Sequence, residues 1–188
     1  MKIIISVWLE PPRKLREKIN RTIETISKKY KVYGQMYEYK GPHITIFSLE
    51  CEKSILPDIL YNINSLLKNV RAFEVSINNT GYFLRPYTII YLRVIKTKKL
   101  IDLYNLLNKN FKKDKIGYPK FTPHLTIANN KLNPEIDRIK LSLALKECKN
   151  LKFYGKFMAR EIKISIYSKN SQRIKPSNFS IRTINLKD

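Results

Sequence analysis

Apolar and polar positions along this chain switch between two periods, and each switch marks an element. Residues 2–9 form an unbroken apolar, β-branched run, as in a strand covered on both faces. Glu10-Pro11-Pro12 follows, and proline is accepted in a first helical turn. Leu15, Ile19, Ile23 and Ile26 then recur at helical spacing among charged residues, predicting an amphipathic helix to about Lys29. Val32 to Tyr39 is a weaker, tyrosine-rich strand candidate. Gly41-Pro42 breaks it, and a strand runs from His43 to about Leu49.

Ser54 to Lys68 returns to helical spacing through Ile55, Ile59, Ile63, Leu66 and Leu67. Ala72 to Ile77 alternates Phe73, Val75 and Ile77 with polar neighbours, the mark of a half-buried strand. Asn78-Asn79-Thr80-Gly81 has the composition of a turn. Tyr87 to Ile95 is a strong strand, and Lys98 to Phe111 a helix with Leu100, Leu103, Leu106 and Leu107 as its stripe. A loop over 112–121 leads into a strand that begins near His124. Asn133-Pro134 reads as a helix cap with proline in the first turn. Ile136, Ile139, Leu143 and Leu145 carry that helix to about Lys146, and strands follow near 151–158, 161–168 and 178–186. The order of elements predicts an α+β fold, with residues 1–188 a single domain of two similar lobes, each an antiparallel-type sheet covered by helices.

One pattern occurs twice. Pro42-His43-Ile44-Thr45-Ile46 returns as Pro123-His124-Leu125-Thr126-Ile127, about eighty positions on, and these are the only 2 histidines in the sequence. Side chains alternate across a strand, so each histidine shares a face with the threonine two positions later, while the aliphatic residues face the other way. Two such strands facing one another would line a central cleft with two imidazoles and two hydroxyls.

Composition narrows the setting. Hydrophobic residues at 43% and charged residues at 28% are usual for a globular protein. No apolar run approaches the ~20 residues of a membrane helix, and the first nine residues are too short for a secretion signal. A cytoplasmic location is expected. The 2 cysteines, Cys51 and Cys148, lie in unrelated contexts without metal-type spacing and read as free thiols. The net charge of +22, from 37 Lys and Arg against 15 Asp and Glu, would concentrate a polyanion such as RNA, although scattered surface lysines give the same total.

With the duplicated motif in place, the chain resembles the two-histidine phosphoesterase superfamily, and within it the LigT-like RNA 2′,3′-cyclic phosphodiesterases, also known as 2′–5′ RNA ligases. Gly81-Tyr82-Phe83-Leu84-Arg85-Pro86 is similar to that family's Gly-x-Phe-x-x-Pro segment. The chain departs from the family where a Phe and then a Gly often follow the first motif, having Ser48 and Glu50, and where an Arg often follows the second, having Asn129-Asn130-Lys131.

The resemblance implies hydrolysis of RNA 2′,3′-cyclic phosphate ends, or a related cyclic nucleotide, to a 2′-phosphate. It also implies joining of ends through a 2′–5′ linkage, with no cofactor and no metal. It assigns His43 as proton donor and His124 as proton acceptor, roles the near-symmetric motifs leave open. Histidine suits either task, because its ordinary pKa of ~6.5 leaves both forms accessible near neutrality. Thr45 and Thr126 can donate to the non-bridging phosphate oxygens. Tyr82, Phe83, Tyr118 and Phe121 are candidates to stack on a base, and Arg85 and Lys120 to contact phosphate. The expected partner is RNA or a cyclic nucleotide, with the chain a monomer off the membrane. A basic RNA-binding protein with little turnover is the alternative that charge and aromatics fit equally.

Overall fold

The structure is a computed structural model that describes residues 1–34, 41–84, 88–117, 120–129, 138–169 and 179–187. Nine strands and four α-helices follow in the order β1 (Lys2–Leu9), α1 (Arg13–Tyr30), β2 (Tyr33–Gly34), β3 (Ile44–Glu52), α2 (Leu56–Leu67), β4 (Phe73–Phe83), β5 (Ile89–Val94), α3 (Lys98–Phe111), β6 (His124–Asn129), α4 (Arg138–Asn150), β7 (Tyr154–Ala159), β8 (Glu161–Ser168) and β9 (Phe179–Asn185). A single 3₁₀ turn, Lys53–Ile55, precedes α2.

All nine strands join one antiparallel sheet, in the order β7-β4-β5-β6-β3-β1-β8-β9 with β2 beside β6. A sheet for each half of the chain is thus replaced by one continuous sheet. Its middle is narrow: β3 and β6 are paired through Ile44 and Leu125 alone. The four strands on either side are paired over most of their length. Helices cover the sheet crosswise. α1, which follows β1, packs on β6, and α3, which precedes β6, packs on β3. The core lies between them, with Ile5, Val7, Leu9, Ile19, Ile23, Ile44, Leu49, Ile90, Leu92, Leu103, Leu125 and Ile127 all buried.

Two expectations are corrected. Asn78-Asn79-Thr80-Gly81 is not a turn, because β4 runs through it. The register against β5 steps from Asn78 to Thr80, so Asn79 is an extra residue, a bulge held at φ 50° with its backbone N–H donated to the Phe153 carbonyl at 2.7 Å. Asparagine tolerates this left-handed backbone better than most residues, which is why one composition serves both turn and bulge. In α4 the apolar stripe is rotated: Leu141, Ala144 and Cys148 are buried, while Ile139 and Leu143 are exposed. The small residues Ala144 and Cys148 allow close approach to β4, where the Thr80 hydroxyl donates to the Cys148 carbonyl. The expected cap at Asn133 and the stripe residue Ile136 lie outside the described residues, as does most of the strand candidate 32–39. The ends of α3 fall where its stripe places them, with Thr97 as N-cap, its hydroxyl accepting from the Leu100 N–H.

Candidate active site

The pairing of Ile44 with Leu125 joins the two repeats. Carrying that antiparallel register one residue either way sets Thr45 across from His124 and His43 across from Thr126, all on one face. Leu125 and Ile44 project to the other face and are fully buried, so the polar face is carried by side chains locked in the core.

The two motifs are built alike in finer detail than their sequences show. Each places a β-bulge on the isoleucine after its threonine. β1 matches Trp8 with Thr45 and Val7 with Phe47, passing over Ile46. β5 matches Tyr91 with Thr126 and Ile90 with Ala128, passing over Ile127. An extra residue lets the strand keep its polar face up to the threonine and return aliphatic groups to the core after it. In each case the residue opposite the threonine is aromatic, and its ring packs on the motif's histidine. Trp8 meets His43 edge-on, with centroids 5.4 Å apart, and Tyr91 meets His124 at 5.2 Å. Phe83 meets His124 from another side, also at 5.2 Å.

Each imidazole is also oriented by its own strand's approach. His43 Nδ1 lies 2.8 Å from the Gly41 carbonyl, and His124 Nδ1 lies 2.7 Å from the Thr122 carbonyl. A carbonyl only accepts, so Nδ1 carries the proton in both rings, and in the neutral form the lone pair sits on Nε2. Burial holds the His124 pKa below the usual 6.5, with the bond to Thr122 opposing the shift. His124 is therefore a neutral imidazole at pH 7, with the lone pair of Nε2 available. Burial likewise raises the Tyr91 phenol.

A pocket of about 590 Å³ opens beside the seam, lined in part by Thr45, Ser48, Phe83, Lys120, Phe121 and His124. Phe121 stacks flat on Tyr104 at 4.3 Å, and Lys115 donates to the Tyr104 hydroxyl at 2.7 Å. Phe83, Lys120 and Phe121 thus join Thr45 and His124, as the sequence suggests. Tyr82 does not. It lies across from Ile90 of β5, on the face away from the histidines, and Lys149 of α4 sits over its ring at 5.6 Å. Arg85 and Tyr118 lie outside the described residues.

Sequence reasoning missed Trp8, Tyr91, Tyr104 and Lys115. The first two sat inside runs that read as plain core, where only a tryptophan or tyrosine in an otherwise aliphatic strand was a signal. Tyr91 also explains Gly81, its partner on β4. A Cβ there would come within 2.6 Å of the Tyr91 ring, so only glycine lets the ring lie where it meets His124. Among the described residues, no three His, Cys, Asp or Glu side chains cluster as a metal ion would need.

This sheet and paired motif define a class. The family model of the 2′-5′ RNA ligase superfamily matches residues 11–171, and the chain belongs to that family. A protein of Staphylococcus aureus strain JH1, named as a candidate phosphoesterase, is 29% identical over 125 residues, covering 65% of this chain and 72% of its own. The crystal structure of E. coli LigT complexed with 3′-AMP has the same fold, with a TM-score of 0.66 at 14% identity, covering 99% of both chains. The structure of Kluyveromyces marxianus Usb1 aligns with a TM-score of 0.61 at 10% identity, over 98% of both chains. Membership makes the chain a phosphoesterase-class protein.

Proposed function

We propose that the protein opens RNA 2′,3′-cyclic phosphate ends to a 2′-phosphate by two-histidine acid–base catalysis. The observation that carries this reading is the Ile44–Leu125 pairing, which supports placing both imidazoles and both motif hydroxyls around one phosphate. His124 Nε2 takes a proton from water as its oxygen attacks phosphorus. The P–O3′ bond breaks, and His43 Nε2 delivers a proton to the departing 3′-oxygen. The products are a 2′-phosphate and a free 3′-hydroxyl. Thr45 and Thr126 donate to the two non-bridging oxygens, whose charge grows in the transition state. The scheme calls on no metal. A 5′-hydroxyl end in place of water would give the 2′–5′ joined product with the same proton traffic.

The test is turnover of a short RNA ending in a 2′,3′-cyclic phosphate, in EDTA, by wild type, His43→Ala and His124→Ala. Each lost proton transfer is expected to lower kcat by about 10²–10⁴. Intact RNA binding by all three proteins with no opening by wild type would refute the hydrolase and leave an RNA-binding protein.

A further inference from the structure

A second pocket, of about 680 Å³, lies on the far side of β5 from His124. Its lining includes Asn79, Tyr82, Arg93, Lys149, Lys152 and Tyr154. Three of its lining residues are cations and none is a carboxylate, and both tyrosines are open to solvent, Tyr82 at 41% and Tyr154 at 59%. Large exposed aromatics beside unopposed cations are the pairing that single-stranded nucleic acid uses, with rings for the bases and ammonium groups for the phosphates. By contrast, Lys156 on β7 is paired with Glu74.

The pocket is joined to the active site by the sheet. Arg93 lies directly across from His124 on the neighbouring strand, and its other cross-strand partner is Asn78 of β4, the residue before the bulge at Asn79. Past Asn78, β4 has no β7 residue beside it, and the end of α4 with residues 149–154 closes over that edge to form the pocket wall. From His124 to Asn78 is two strand spacings, about 10 Å; Arg93 and Tyr154 share the histidines' face, and the open edge of β4 past Asn78 leads round to Tyr82 on the other face.

We infer that this pocket binds the nucleotides upstream of the cyclic phosphate, so that the protein selects single-stranded RNA ends over free cyclic mononucleotides. Arg93 carries the backbone out of the active site, Lys149 and Lys152 hold the next phosphates, and Tyr82 and Tyr154 stack on bases. The inference rests on the phosphodiesterase reading for its terminal phosphate, but not for the binding itself.

The experiment compares kcat/KM for an octanucleotide and a mononucleotide, both bearing a 2′,3′-cyclic phosphate, and takes their ratio. The proteins are wild type, Lys149→Ala/Lys152→Ala, Tyr82→Ala/Tyr154→Ala, and Lys99→Ala/Lys109→Ala on α3 as a matched loss of charge. The ratio is expected to fall roughly fivefold or more in both pocket variants and to stay at the wild-type value in the α3 variant. A fall shared by the α3 variant, or absent from the pocket variants, overturns the inference. Should wild type open neither substrate, the phosphodiesterase reading fails. Fluorescence anisotropy with a labelled octanucleotide then decides the inference alone. Weaker binding confined to the pocket variants, with a salt slope lower by about 1.4 for the lysine pair, upholds it. Equal binding by all four proteins overturns it.

Discussion

At the scale of single residues, the site depends on how each imidazole is held. Both imidazoles are fixed through Nδ1, and burial lowers the proton affinity of His124. As the proposed general base it must be unprotonated, so kcat/KM should rise with pH through a value below 6.5 and fall again at higher pH, where the proposed acid His43 loses its proton. A limb at or above 6.5 that persists in the His43→Ala residual activity would contradict the assignment. Stability should follow with the same sign. The unfolded chain binds a proton that buried His124 resists, so the full stability is present above about pH 6.5 and declines as pH falls through the lowered folded value. His124→Gln should flatten that part of a denaturant-midpoint profile. Gly81 offers a different probe. Gly81→Ala forces the Tyr91 ring off His124, at a cost of about 1–3 kcal/mol of stability and an expected loss of activity. Adding Tyr91→Leu should recover much of the stability, a coupling a double-mutant cycle reads directly.

At the scale of elements, the helix α3 and the strands β1 and β8 were legible because burial set their pattern. So was the motif pair, since only 2 histidines exist and both share a context. The bulges were not legible. An isoleucine reads the same whether it continues a strand or is the extra residue in it, and only the partner register reveals Ile46 and Ile127. The face of α4 was misread for a related reason. Periodicity counts large aliphatic side chains, but this helix sits close to β4 and buries small ones, Ala144 and Cys148, leaving Ile139 and Leu143 outside. Thermal melts separate the two phases. Leu141→Ala should cost about 2–5 kcal/mol, whereas Leu143→Ala should stay within about 0.5 kcal/mol of wild type. Tyr82 shows the limit of reasoning by proximity: it neighbours Phe83 in sequence, yet alternation along β4 sends the two rings to opposite faces.

At the scale of the whole molecule, no helix among the described residues is long and apolar enough to cross a membrane. Both thiols are buried, and burial pushes Cys51 up and Cys148 up to about 11. Because the thiolate is the reactive form, neither should react with a thiol reagent at pH 8 in the native protein. Both should react in denaturant, so the labelling rate reports opening of the fold; fast native labelling of Cys148 would show that α4 lifts from β4 on its own.

The crosswise helices carry a consequence for how the protein comes into being. The helix that leaves β1 braces β6, and the helix that enters β6 braces β3. A nascent chain that has released the first histidine from the ribosome still lacks the strand that must lie beside it, and the helix already made has no sheet to rest on. The two histidines are thus brought together late in synthesis, by the closing of a single residue pair. A chain cut short before β6 would carry one histidine and no partner, so no half-built site would be exposed during synthesis.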